Sequence, residues 1–360
     1  MTVITFPRDA ARPAGAPRAD AARGAGTART DTADLATQRT VSRHLVHRAA
    51  LAEVFLTDFR SVDATTFHAA AQLPADHAYY GDHTGSPAMH DPLAVFEGVR
   101  QMLLCAMHLQ HDAGSATKSI TATARMEITD PEPLRAAGPL DLVLLGSVLL
   151  VKEYEGAVSR VVHQVRVTAG GHEAGTVTVD TAQRPDAVYQ KLRMGHRDTL
   201  PPTSDTVERH TGGAPLAPHL VGRERDANVV LRDVRPSADG AVARLRVPVA
   251  HPSMFDHPQD HVPGPVMMEA ARQAALFAAG EHLGLAPSKL FLRRVDASYL
   301  RFAELDSDIT VRVGPVDGSV PGRVGARVDF EQDGTAVASL YVELGSTAAR
   351  RPAGEVRDAV

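Results

Sequence analysis

The sequence predicts an α+β fold made twice over, with an antiparallel sheet wrapped around one central helix and two such units in tandem. Three observations predict it. Landmarks of the first half recur in the same order in the second, each half carries one strongly apolar helical segment, and each helix is followed by four β-rich segments.

Residues 1–38 are rich in Ala, Arg, Gly, Pro and Thr and nearly lack large apolar side chains after Phe6, so they cannot offset the entropy of ordering and read as a disordered tail. The first copy, 39–184, opens on Leu45-Val46-His47-Arg48, which recurs as Leu220-Val221-Gly222-Arg223, and Val54-Phe55-Leu56-Thr57-Asp58 recurs at the same offset as Val229-Val230-Leu231-Arg232-Asp233. Further on, Leu73-Pro74-Ala75-Asp76-His77 parallels Val247-Pro248-Val249-Ala250-His251, and Glu97-Gly98-Val99-Arg100-Gln101 parallels Glu269-Ala270-Ala271-Arg272-Gln273. A short strand or two precedes each helix. In the first helix Asp91 suits the N-cap and Pro92 the first helical position, with apolar residues through Met107 and a stop near Gly114. The second starts around Pro263-Gly264-Pro265 and runs to about His282, ending before Gly284. Both are apolar nearly all round, so both should be buried.

Strands with period-two stretches are expected at 119–128, 140–153, 158–168 and 174–182, and again at 290–301, 308–314, 323–331 and 335–343. One buried helix inside such a meander is the hotdog architecture. Residues 185–210, with Pro185, Pro201 and Pro202 amid polar residues, read as an interdomain linker, 211–346 as the second copy and 347–360 as a flexible C-terminal tail. Two fused copies already supply an intrachain pseudo-dimer, so a monomer or a homodimer is expected.

With 44% apolar and 22% charged residues the composition is that of a globular chain. No apolar stretch reaches the roughly 18 residues that cross a bilayer, and the N-terminus lacks a secretory pattern, which points to the cytoplasm and away from a membrane. A net charge of −5 argues against nucleic acid as a partner. The single cysteine, Cys105, lies in an apolar helical pattern and reads as a buried structural thiol.

The chemistry-bearing feature is a set of polar groups on helices that should be buried: Glu97 with Arg100 and Gln101, and Glu269 with Arg272 and Gln273. Spacings of three and four put each set on one helical face. Removing such groups from water costs several kcal/mol unless they are paired or used, so either an intrahelical Glu–Arg bridge or a site between pseudo-symmetric helices explains them. Ahead of each helix lies a loop dense in acid–base groups, His77, Asp82, His83, His90 and Asp91 in the first copy and His251, Asp256, His257, Asp260 and His261 in the second. These suit either a general base or caps of turns. No spacing matches a zinc signature, so no metal or other cofactor is expected, and His108 and His111 read as exposed helix-end residues.

Asp256-His257-Pro258-Gln259-Asp260-His261-Val262-Pro263-Gly264 followed by Glu269-Ala270-Ala271-Arg272-Gln273 resembles the signature of the A-factor biosynthesis (AfsA-type) family. His90-Asp91-Pro92-Leu93 with Glu97 and Arg100-Gln101, and Leu45-Val46-His47-Arg48, resemble its first-repeat signature. The likeness covers about residues 40–345, and a more distant one, through Pro263, Gly264 and Glu269, is to hotdog β-hydroxyacyl-ACP dehydratases. The family resemblance implies transfer of a β-ketoacyl group from acyl carrier protein, or CoA, to the hydroxyl of dihydroxyacetone phosphate, the first step toward a γ-butyrolactone, butenolide or furan signalling molecule. In that reaction Glu97 or Glu269 would be the base, with a pKa raised by burial. Arg272, and more weakly Arg100, would hold the phosphate. Backbone amides near Gly264 would serve the tetrahedral intermediate, with His90, Asp91, Gln101, His257, Asp260, His261 and Gln273 contributing to substrate binding. A hotdog thioesterase or dehydratase, or a non-catalytic acyl-binding regulatory protein, are the alternative readings.

Overall fold

The computed structural model describes residues 32–109, 117–135, 137–195, 197–207 and 213–347. The expected tail up to residue 31, the helix stop near Gly114, His111 and the expected C-terminal tail beyond Thr347 lie outside the described residues. The first copy contains β1 (Leu56–Ser61), β2 (Thr66–Leu73), α1 (Pro92–Leu109), β3 (Thr117–Ile128), β4 (Leu140–Tyr154), β5 (Ala157–Ala169) and β6 (His172–Pro185). After α2 (Asp186–Met194) the second repeats the order with β7 (Leu231–Pro236), β8 (Ala241–Leu245), α3 (Gly264–Leu283), β9 (Leu290–Tyr299), β10 (Ile309–Val313), β11 (Arg323–Gln332) and β12 (Thr335–Ser346).

All twelve strands join one antiparallel sheet in the order β1-β2-β4-β5-β6-β3-β9-β12-β11-β10-β8-β7, so its two halves mirror one another across a β3–β9 seam. There Ala124 pairs with Ala297 and Met126 with Val295, all four buried. The alternation that marks these segments as strands thus places small and apolar side chains on the face that the helices cover. The equivalent hairpins β5–β6 and β11–β12 turn on Gly170-Gly171 and Asp333-Gly334, both residues of each pair having positive φ, as a tight two-residue hairpin turn requires.

Each helix lies against its half-sheet with nearly every side chain covered, each fully buried large aliphatic group contributing about 1.5–3 kcal/mol. Asp91 caps α1, its carboxylate accepting the Leu93 N–H at 2.9 Å, and α3 stops where Gly284 takes φ 65°. Gln101 and Gln273 fasten the helices to the sheet. Gln101 accepts the Phe55 and Leu56 N–H groups and donates to the Glu53 carbonyl, while Gln273 accepts the Val230 N–H and donates to the Asn228 carbonyl.

The segment 185–210 contains α2, whose buried Arg193 pairs with Asp260 and Glu304 and stacks 4.3 Å over the Phe302 ring, while the Tyr189 hydroxyl donates to Asp260. The connector is therefore anchored on the second copy. Cys105 is buried, its Sγ 3.9 Å from the Leu45 carbonyl, and burial pushes its thiol up to about 12. Among the described residues no helix is long and apolar enough to cross a membrane.

Candidate active site

The repeated motifs build two pseudo-symmetric ion clusters, one on each helix, and each is completed by the other copy's loop. On α1, Arg48 contacts Glu97 at 2.6 Å, Arg100 Nε donates to it at 2.8 Å and Gln101 at 2.7 Å. On α3, Arg223 contacts Glu269 at 2.9 Å and Gln273 at 2.5 Å, with Arg272 on the other carboxylate oxygen. The loops cross over. Asp256 of the second copy accepts the Ala49 and Ala50 N–H groups beside Arg48, and Asp82 of the first accepts those of Glu224 and Arg225 beside Arg223.

The two clusters differ in two partners. Arg272 also donates to Asp91 at 2.6 Å, and Tyr79 donates to Glu269 at 3.3 Å, so the Arg272 side chain is only 5% exposed. At the position equivalent to Asp91, six residues before the glutamate, the second copy has Pro263. Without that carboxylate Arg100 stays 29% exposed. The space follows the pairing: Arg48, Glu97 and Arg100 line a cavity of about 810 Å³, whereas the one beside Asp91 and Arg272 measures about 90 Å³.

His257, Asp260, His261 and Gly264 also line the large cavity. His257 stands near Arg48 and Arg100, its Nδ1 3.4 Å from Asp256 and its Nε2 2.5 Å from the Gln259 amide nitrogen. Burial, and then those two arginines, hold its imidazole below the usual histidine range against the pull of Asp256, so it is neutral at neutral pH. His261 Nδ1 lies 2.6 Å from Asp260, which Tyr189 and Arg193 hold in place. At the start of α3, Pro263 and Pro265 have no N–H, and the Val266 and Met267 N–H groups go to the Pro263 carbonyl. The amide donor expected near Gly264 narrows to Gly264 itself. A Cβ there would come 2.8 Å from the Tyr299 hydroxyl, a buried group without a hydrogen-bond partner among the described residues and, since burial pushes the phenol up, a protonated donor.

The expectation of a raised glutamate pKa fails. Burial does push Glu97 up, but Arg100 and Arg48 outweigh it and hold the carboxyl at about 2. Arg223 and Arg272 likewise hold Glu269 below its usual range against burial. Both are ionised and weakly basic. Because the folded pKa of Glu97 is depressed, its contribution is complete above the unfolded value of 4.5 and is lost as pH falls toward 2. Glu97→Gln should therefore be less stable than wild type by roughly 3 kcal/mol at pH 6, with the gap closing as pH falls from 4.5. Urea denaturation at pH 6, 4.5 and 3 checks this, and a gap that does not change with pH would refute it.

The structure brings Glu97, Arg100, Asp256, His257, Asp260, His261 and Gly264 to one cavity and leaves the other candidates outside it. Glu269, Arg272 and Asp91 form the sealed cluster, and Gln101 and Gln273 are fully buried helix fasteners. His90 donates its backbone N–H to the Leu134 carbonyl and its Nε2–H to the Gly138 carbonyl, and lines neither cavity. His77 and His251 accept amides of their own turns. Missing from the sequence-derived set are Arg48, Arg223 and Tyr299; the recurrence of Arg at the end of both Leu-Val-x-Arg motifs was the available signal for the two arginines. Among the described residues no three His, Cys, Asp or Glu side chains are placed to hold a metal ion.

The chain matches the family described as AfsA, A-factor biosynthesis hotdog domain, over residues 30–183 and 205–345. It is 32% identical over 304 residues to a 2-oxo-3-(phosphooxy)propyl 3-oxoalkanoate synthase of Streptomyces virginiae, covering 84% of this chain and 97% of that one. It is 30% identical over 305 residues to the protein of that name from Streptomyces coelicolor, covering 84% and 90%. Among solved structures it is similar to a 12:0-ACP thioesterase from Umbellularia californica, with a TM-score of 0.46 and 10% identity over 78% of this chain and 94% of that one. With two matched segments that together span most of its length, the chain belongs to the A-factor biosynthesis hotdog-domain family.

Proposed function

We propose that the protein transfers a β-ketoacyl group from an acyl thioester, carried by acyl carrier protein or CoA, to the hydroxyl of dihydroxyacetone phosphate. The product is the ester that the names of its relatives describe. The observation that carries this reading is the asymmetry of the clusters: the α1 cluster opens onto a cavity with both arginines and a neutral histidine, and the α3 cluster is sealed. His257 Nε2 takes the proton of the acceptor hydroxyl in place of Gln259, with Asp256 orienting the ring. The alkoxide attacks the thioester carbonyl, and the oxyanion accepts from the Gly264 N–H and the Tyr299 hydroxyl. As the intermediate collapses, the ester forms and the leaving thiolate takes its proton from His257.

Glu97 holds Arg48 and Arg100 in position rather than acting as base, and Arg100 instead of Arg272 is the helix cation that meets substrate anions. Phe96, Leu103, Leu104, Met107 and Ile120 line the same cavity and suit the acyl chain. His261 and Asp260 contact substrate farther along it, on the α2 side. The working unit is a cytoplasmic monomer whose copies span 39–184 and 211–346, since each copy contributes to the site.

Mass spectrometry of the protein incubated with a β-ketoacyl thioester, with and without dihydroxyacetone phosphate, tests the reaction. A phosphorylated acyl ester that needs both substrates is the expected result. Free acid in the absence of acceptor would indicate a thioesterase, an enoyl thioester a dehydratase, and no product an acyl-binding protein, each overturning the reading.

A further inference from the structure

Two histidines of the first copy have glycine at their equivalent positions in the second. Leu-Val-His-Arg against Leu-Val-Gly-Arg sets His47 opposite Gly222, and counting eleven residues on from Glu97 and Glu269 sets His108 opposite Gly280. His47 has φ 50° and Gly222 φ 70°, so both copies use the same left-handed backbone at that point. Glycine adopts it freely and a side chain does so at a cost, yet the first copy keeps an imidazole there.

The imidazole has a specific surrounding. His47 and His108 approach Nε2 to Nε2 at 2.8 Å with ring centroids 5.0 Å apart, and both line the large cavity together with Arg100 and Lys118. Burial, and after it the charges of His108, Arg100, His257 and Lys118, together push His47 down to about 4. The groups acting on it come from α1, β3 and the loop before α3, and all are cations or potential cations; the carboxylate of Glu97 is already shared between Arg48 and Arg100. Repulsion of this kind is relieved by an anion. In the second copy both histidine positions are glycine, and the equivalent arginine is paired with Asp91.

We propose that His47, His108, Arg100 and Lys118 form a phosphate-binding site at the open end of the cavity. The proposal rests on the transferase reading, in which two phosphates enter: the monoester of the acceptor and the diester of the donor's phosphopantetheine arm. The site favours the monoester, whose nearly double charge answers several cations at once.

The test is isothermal titration of dihydroxyacetone phosphate into the full chain without thioester, so that binding is read independently of turnover. Wild type is compared with H47G, H108Q and the double variant, and dihydroxyacetone is the uncharged control. The donor arm compares an acyl 4′-phosphopantetheine with the corresponding acyl pantetheine. H47G places in the first copy the residue the second already uses, so its melting temperature should match or exceed that of wild type. We expect the double variant to bind dihydroxyacetone phosphate at least tenfold more weakly. The same loss seen only with the phosphopantetheine donor would keep the phosphate site and assign it to the donor. Unchanged binding of both phosphorylated probes by folded variants, or no measurable binding of either by wild type, would overturn the proposal. If phosphate binding depends on His47 while wild type forms no ester, the site stands and the transferase reading falls.

Discussion

His257→Ala should lower kcat by about 10²–10⁴, the usual contribution of a positioned general base, with a much smaller change in KM. The effect is large because the other groups near the thioester cannot replace it. Glu97 is held at about 2 by its two arginines, and Asp256 is 1% exposed and occupied by the Ala49 and Ala50 amides. Asp256→Asn should cost less than His257→Ala, because the ring keeps its place but loses the partner that selects its tautomer. His261→Ala should act mainly on KM. Steady-state kinetics of the three variants decide the matter: a His257→Ala enzyme within threefold of wild-type kcat would remove His257 from the mechanism, and a loss that appears at His261→Ala instead would move the base to the Asp260–His261 pair.

The pseudo-symmetry supplies a second large contrast. Arg272→Ala deletes the cation between Asp91 and Glu269, leaving two buried carboxylates short of a partner, and should destabilise the fold by about 3–5 kcal/mol. Arg100→Ala removes a chemically identical side chain from the equivalent position, but one 29% exposed, on a glutamate that Arg48 still holds. It should cost far less stability and far more activity. Urea denaturation alongside turnover, for both variants, gives the comparison. If Arg272→Ala proves as stable as wild type and inactive, the working site belongs on α3 and the assignment made here is reversed.

Much of the scaffold was legible from local pattern. The apolar runs of α1 and α3, the Asp91-Pro92 start and Gly284 stop, and the eight strands after the helices follow from periodicity and capping, which are properties of neighbouring residues. The parts that escaped depend on distant ones. Nothing in a strand's alternation says which edge it will meet, so the β3–β9 pairing was hidden, as was the crossing of the two Asp-His loops onto the opposite copies. The error over the glutamates has in part the same origin: burial and the arginine three residues on were visible in each helix, but the second cation on each carboxylate lies 49 residues upstream of Glu97 and 46 upstream of Glu269. The difference between the sites was in plain view as Asp91 against Pro263 and His47 against Gly222. It acquired meaning only once the structure showed what those positions touch.

The seam between β3 and β9 also bears on how activity scales with dose. Arg48 and Glu97 come from one copy and Asp256 and His257 from the other, so in a two-chain arrangement the site would exist only in the associated fraction and would dissolve on dilution. Here the covalent connection sets a fixed, high effective concentration of each half for the other. Specific activity should then be the same at trace and abundant expression.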